Sequence, residues 1–301
     1  MDEILSSLPF NIFLLILGMV LLIKGADFFV DGASSIARKL KIPALIVGLT
    51  LVSMGTSAPE ASVSISSSLV GSPEASLTNI IGSNIFNLMV VLGASLLFSK
   101  ISVSKSTLKI DFPFLIFITV LLALFCYLIT PNSIDTWEGI VLLLFFIGYL
   151  VFIVLRAKKD GEKVEEDNKN MSWLKSIVLS VLGLAGIIFG GRWVVDGAGV
   201  VATSLNMEPT LVGLTIYAIG TSLPELVTSV VAARKGENDI AVGNVVGSGI
   251  FNILFVLGLS STILPLAINE NILVDFIFNI LVTILFVVFC LKKKELIILK
   301  L

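Results

Sequence analysis

GTSAPE at residues 55–60 returns as GTSLPE at 220–225, and GSNIFN at 82–87 returns as GSGIFN at 247–252. Two shorter matches keep the same register: DGA at 31–33 with DGA at 196–198, and VGLT at 47–50 with VGLT at 212–215. Every pair is offset by 165 residues. Aligned without a gap, 31–100 and 196–265 share 26 identities in 70 positions, among them glycines, a proline and two carboxylates. Apolar segments resemble one another in composition, but composition alone does not hold such residues in one register. The chain is an internal duplication.

The bilayer is the solvent in which this duplication folds. Apolar residues make up 56% of the 301 and charged residues 14%, with a mean hydropathy of +1.05. A soluble domain is about half apolar and a quarter charged. A hydrocarbon core of roughly 30 Å takes about 20 apolar residues per helix. Nine segments qualify: 8–36, 43–69, 76–98, 111–130, 138–156, 174–203, 210–233, 240–264 and 271–291. The one connection of any length, Arg156–Lys175, carries RAKKDGEKVEEDNKN and reads as a solvated linker. The predicted organisation is an all-α polytopic membrane protein with a first repeat at 1–156, a linker at 157–173 and a second repeat at 174–301. Met1–Glu3 is acidic and lacks the basic start and small-residue cleavage site of a signal peptide. Cys126 and Cys290 sit in separate apolar segments, which argues against a disulfide framework. The absence of histidine removes imidazole metal sites, Ser-His triads and histidine proton relays.

Lys and Arg set the orientation in the cell membrane. With the N-terminus outside, Arg38, Lys39 and Lys41, then Lys100, Lys105 and Lys109, then the linker, then Arg234 and Lys235, then Lys292–Lys294 all fall on the cytoplasmic side. The opposite loops contain no Lys or Arg. Only Lys24 and Arg192 fall inside spans, each spaced to neutralise an acid on its own helix, Asp27 and Asp196. Equivalent positions lie five spans apart, an odd number, so the two repeats run in opposite directions across the membrane. Many secondary transporters have this plan, with the substrate site where the inverted repeats meet.

Glu60 and Glu225 lie near the middle of their spans, where an ionisable side chain marks function by default. Pro59 and Pro224 have no N–H and clash with the carbonyls four residues back, at Gly55 and Gly220, so each helix is expected to break there. Broken backbone at membrane depth is tolerated where it lines a cavity or binds something. Thr56 and Ser57 share a helical face with Glu60, as Thr221 and Ser222 do with Glu225. Asn79, Ser83 and Asn87 fall at i, i+4 and i+8, and Asn244, Ser248 and Asn252 repeat the pattern. Packed together, these helices form a cage of carboxylate, amide, hydroxyl and carbonyl oxygens. Such a cage suits Na⁺ and Ca²⁺ and disfavours zinc and copper. Asn79 and Asn244 read equally well as hydrogen-bond partners between helices. Ser64, Ser66–Ser68 and Ser95 read as small packing residues.

At these motifs the chain resembles the sodium/calcium exchanger family, within the wider cation/Ca²⁺ antiporters. GTSAPE with GSNIFN, and GTSLPE with GSGIFN, look like its two α-repeats, and the resemblance covers about residues 10 to 290. It implies ten helices as two inverted sets of five, with cation sites between the second, third, seventh and eighth. It also implies alternating access by sliding of the first and sixth helices. The resemblance maps the metal ligands onto Thr56, Ser57, Glu60, Ser83 and Asn87, and onto Thr221, Ser222, Glu225, Ser248 and Asn252. Family members often carry an aspartate at one of the positions of Asn87 and Asn252. Both are amides here, which leaves two carboxylates and bears on the usual three-sodium stoichiometry. The chain ends at Leu301, soon after the ninth segment, so a tenth helix, the counterpart of 138–156, is expected to be missing.

These readings point to a secondary active antiporter exchanging Na⁺ for Ca²⁺. Both ions are transported substrates; no cofactor, nucleic acid or enzymatic step is expected, and the lipid bilayer is the surrounding. The sequence does not set the oligomeric state. The alternative is a proton/calcium antiporter of the same superfamily, with Glu60 and Glu225 as proton carriers. A cation channel with a carboxylate-lined filter is a further alternative, although inverted repeats with broken helices favour a carrier. An intramembrane protease would need a Ser-His pair or an aspartate dyad in the spans, and the chain offers neither.

Overall fold

The structure, a computed structural model, describes residues 7–69, 73–101, 103–160, 171–208, 212, 215–216, 218–268 and 272–292. Much of the linker, most of the first half of the seventh segment, the loops at 70–72 and 269–271 and the tail after Lys292 lie outside these residues.

Eleven helices are described: α1 (Leu8–Leu40), α2 (Ala44–Thr56), α3 (Ala58–Leu69), α4 (Ser76–Phe98), α5 (Thr107–Ile129), α6 (Thr136–Asp160), α7 (Trp173–Ser204), α8 (Ala218–Thr221), α9 (Leu223–Arg234), α10 (Asn238–Ile263) and α11 (Ile272–Lys292). Seven of them are long and apolar enough to cross a membrane, and α2 with α3 make an eighth span bent by 49°. The remaining expected span, 210–233, is described chiefly as α8 and α9.

The first repeat extends further than the sequence suggests. Because α6 continues to Asp160, Arg156 belongs to a helix and not to a solvated linker. Its side chain is buried, with Nη1 2.6 Å from Asp111 Oδ1 and Nη2 2.8 Å from Ser106 Oγ. A charge taken out of water needs a partner. Asp111 supplies one, and the pair ties α5 to α6. Local charge density conceals this, because Arg156 opens a run of charged residues in the sequence.

Contacts between helix ends define the two sides of the bundle. Arg38 at the end of α1 meets Glu237, Asn238 donates to the Lys100 carbonyl, and Lys39 lies 5.5 Å over the ring of Trp173. All of these belong to the side where α6 ends and α7 begins, here called the linker side. On the far side, Ser133–Ile134 pairs antiparallel with Leu266–Ala267.

Direct packing demonstrates the inversion. A Cβ on Gly18 would lie 2.8 Å from the Gly190 carbonyl oxygen, one on Gly25 2.8 Å from that of Gly183, and one on Gly32 2.7 Å from that of Ser176. As the number rises along α1 it falls along α7, so the equivalent helices of the two repeats run antiparallel. Moreover Gly183 is the counterpart of Gly18 and Gly190 that of Gly25, so the contacts exchange under the two-fold relation, as at any self-complementary interface. Only glycine admits backbones this close, and a side chain at any of these positions would push α1 from α7.

The bundle surrounds α10, which is 94% buried over its apolar window, whereas its counterpart α4 is 50% buried. α6 covers α10, and a Cβ on Gly139 would lie 2.7 Å from the Gly258 carbonyl oxygen. The equivalent of Gly258 is Gly93, where no described atom lies within 4 Å. The two-fold relation would place a counterpart of α6 there.

Candidate cation site

Both predicted helix breaks occur, two residues ahead of the prolines. α2 ends at Thr56, Ser57 leaves the helical region (φ −81°, ψ 9°), and α3 begins at Ala58 with Pro59 in its first turn. Ser222 does the same between α8 and α9 (φ −91°, ψ 4°), ahead of Pro224. Proline is well placed at a helix start, where its missing N–H costs nothing. None of the five described π-helical turns was foreseen, and two of them form an equivalent pair, Asn87–Val91 in α4 and Asn252–Leu257 in α10. They begin at equivalent residues, and single π turns inside helices are frequent at functional sites.

The breaks bring the two carboxylates together across the repeat interface. Ser57 Oγ donates to Glu225 Oε1 at 2.7 Å, and Ser222 Oγ donates to Glu60 Oε1 at 3.1 Å. Each repeat's serine thus serves the other repeat's glutamate. Ser83 also donates to Glu60 Oε1 at 3.2 Å, and its hydroxyl lies 3.0 Å from that of Ser222. Thr56 and Ser248 border the Glu225 carboxylate. Glu60 and Glu225 are fully buried.

Each glutamate uses one oxygen in these bonds. Glu60 Oε2 and Glu225 Oε2 make none, nor do Ser248 Oγ, Asn252 Oδ1 or either polar atom of Asn87. Buried polar atoms are normally paired. Here five oxygens without hydrogen bonds occur on the residues singled out by the repeats. Two carboxylates facing each other out of water repel, and either a proton or a metal cation would relieve them. All the oxygens are hard ligands.

Nine of the ten expected ligands are buried among these groups or their immediate neighbours: Thr56, Ser57, Glu60, Ser83, Asn87, Ser222, Glu225, Ser248 and Asn252. Thr221 stands apart. Its hydroxyl turns back to the Ala218 carbonyl at 3.3 Å and lines a cavity of about 940 Å³. Thr56, its counterpart, makes the same bond to the Ser53 carbonyl at 3.3 Å and adds one to Asn244 Oδ1 at 2.9 Å. The cavity is also lined by Pro59, Asn79, Ser83, Arg192 and Pro224, and it reaches the carboxylates through Ser83. Its residues come from the first turns of α3, the far-side halves of α4 and α7, and α8 with the start of α9.

Asn79 and Asn244 act as hydrogen-bond partners, to Ser64 at 3.1 Å and to Ser229 at 2.9 Å, again an equivalent pair. Lys24 does not neutralise Asp27. Lys235 takes that role, with Nζ 2.8 Å from Asp27 Oδ1 and 2.7 Å from Asp31 Oδ1. Arg192 and Asp196 do pair, at 3.6 Å. One further buried residue, Asn84, is missed by repeat matching because its counterpart is Gly249. The mismatch itself, inside a conserved-spacing motif of this chain, is the signal that could have drawn attention to it.

A helical membrane protein of inverted repeats, with an all-oxygen site at their junction, defines a cation transporter rather than an enzyme. The chain belongs to the sodium/calcium exchanger protein family, whose model matches residues 10–155 and 175–294. It is 43% identical to a putative antiporter, CaxA of Alkalimonas amylolytica, over 85% of this chain and 81% of that one. It is 33% identical to the sodium/calcium exchanger MaX1 of Methanosarcina acetivorans, over 86% and 85%. The solved structure of the sodium-calcium exchanger NCX_Mj superposes with a TM-score of 0.84 at 32% identity, covering 96% of this chain and 93% of the other.

Proposed function

We propose that this chain exchanges Na⁺ for Ca²⁺ by alternating access, with Thr56, Ser57, Glu60, Ser83, Asn87, Thr221, Ser222, Glu225, Ser248 and Asn252 as the ligand set. The observation that carries the reading is the crossed pair of serine–carboxylate bonds with five uncommitted oxygens around it. Two carboxylates match the charge of one divalent ion or of sodium ions in its place, so one cage can serve both cargoes in turn. MaX1 and NCX_Mj are named as sodium/calcium exchangers, which supports sodium as the counter-ion.

The Lys and Arg content of the linker side makes it the cytoplasmic face, with the N-terminus outside. The cavity at Ser83 and Thr221 then opens outward. The glycine seam joins α1 to α7 as one body, and sliding of that body past the broken helices exchanges the open face for the sealed one.

Vesicles carrying the purified chain, loaded with Na⁺ and diluted into sodium-free medium, should take up radioactive calcium, and a proton gradient alone should not drive it. Uptake driven by protons with no response to sodium would establish the proton/calcium antiporter instead. Calcium flux that follows its own gradient, uncoupled from either ion, would establish a channel.

A further inference from the structure

A neutral amide serves a cation only through its oxygen. Turned the other way, it presents two N–H bonds and repels the ion. Which end of Asn252 faces the cage is therefore a functional question, and a residue outside the ligand set answers it.

Asn84 and Gly249 are equivalent positions of the two repeats, 165 residues apart, yet they touch each other: Asn84 Nδ2 donates to the Gly249 carbonyl at 3.4 Å. A residue that meets its own counterpart lies on the pseudo-two-fold axis. Asn84 supplies the side chain on the axis and Gly249 supplies none. A Cβ on Gly249 would already lie 3.0 Å from Leu115 Cδ1 and 3.8 Å from Asn84 Cγ. The motifs GSNIFN and GSGIFN differ at this position, with the amide in the first repeat and the glycine in the second.

The break has a directional consequence. The Gly249 carbonyl can only accept, so it holds the Nδ2 end of Asn84. Asn84 Oδ1 then faces away and accepts from Asn252 Nδ2 at 3.2 Å. That leaves Asn252 Oδ1, buried and without a hydrogen bond, as the free end of the chain. A backbone carbonyl thus sets the polarity of two successive amides. In the first repeat the equivalent support is missing, because position 249 has no side chain, and Asn87 has neither polar atom bonded.

We propose that Asn84 is a positioning residue that locks the carbonyl oxygen of Asn252 toward the cation, and so makes the second-repeat half of the cage the more rigid half. The proposal rests on the exchanger reading of the site.

The test is calcium transport by the full chain in vesicles, with thermal stability measured alongside. Asn84→Ala should raise the half-saturating calcium concentration about tenfold, the scale for residues that orient metal ligands, with maximal rate close to the parent's and a lowered melting temperature, because the Gly249 carbonyl and Asn252 Nδ2 lose their buried partner. Asn84→Asp keeps the acceptor for Asn252 and should recover most of the affinity. Asn252→Ala should weaken binding by itself, and adding Asn84→Ala to it should have little further effect, since both remove one relay. An unchanged half-saturation in Asn84→Ala, or full additivity with Asn252→Ala, would overturn the proposal. So would lost thermal stability with calcium affinity intact, which is the signature of a packing role. A parent chain without calcium flux would overturn the exchanger reading, and the relay with it.

Discussion

The two faces of the cage are built from equivalent residues and behave differently. On the far side Gly82 has no described atom within 4 Å of where a Cβ would stand; on the linker side its counterpart Gly247 lies 2.6 Å from the Leu49 carbonyl oxygen by the same measure. Both threonines bond their own helix, but Thr56 also bridges to Asn244 and Thr221 has no such described bond. Ala218 is exposed and its counterpart Ser53 is fully buried. At the rim, Arg192 and Asp196 pair within α7, whereas their counterparts Asp27 and Asp31 on α1 are held by Lys235 at the end of α9. The crossed serine–carboxylate bonds keep the two-fold relation and the two entrances do not. A duplicated site with one sealed and one open entrance is what alternating access requires of a single state.

The largest effects should fall where the halves are alike. Glu60→Gln and Glu225→Gln should each abolish exchange while the protein stays folded in the membrane, because removing either charge leaves a divalent ion undercompensated by several kcal/mol in a dry site. Flux assays with size-exclusion profiles would check this. If one variant transports near normally, the two carboxylates are not equivalent.

The next effect should separate the faces. Thr56→Val leaves Asn244 Oδ1 buried without its donor, at a cost of about 1–3 kcal/mol. Thr221→Val removes only a bond within its own helix, at a half-buried position, and should stay within about 0.5 kcal/mol. Thermal unfolding of the two variants should therefore differ, and equal losses would mean that both faces are sealed.

A smaller shift should come from the rim. Lys235→Ala breaks two partly exposed ion pairs, worth about 1 kcal/mol together. It should move the balance of states roughly fivefold toward linker-side opening. With Cys126 and Cys290 replaced, a Ser53→Cys reporter should be labelled faster in that background than in the parent; equal labelling would remove Lys235 from the seal. Least of all, Arg192→Gln should change melting temperature and transport little, since its pair with Asp196 is mostly exposed.

Much of this was legible in the sequence. Apolar segment length, the 165-residue register and the two prolines together pointed to the inversion, both helix breaks and the carboxylates, because hydropathy, proline and buried charge each impose a local constraint that survives without tertiary information. The rest depends on contacts between distant segments. GTS reads identically in both repeats, so no sequence pattern could say that Thr56 bridges and Thr221 does not. Lys24 stood nearer Asp27 in the chain than Lys235, which reaches it only in three dimensions. Arg156 appeared solvated because its neighbours are charged. Asn84 escaped because it matters by differing from its counterpart, whereas the repeats were read for identity.

The central claim is that one cage between the repeats holds calcium and sodium in turn. Equilibrium binding of radioactive calcium to the purified chain, titrated with Na⁺, tests it most directly. The parent should bind calcium and release it competitively as Na⁺ rises, and Glu60→Gln and Glu225→Gln should bind none. Calcium binding that persists in both variants, or that Na⁺ leaves untouched in the parent, would contradict the account.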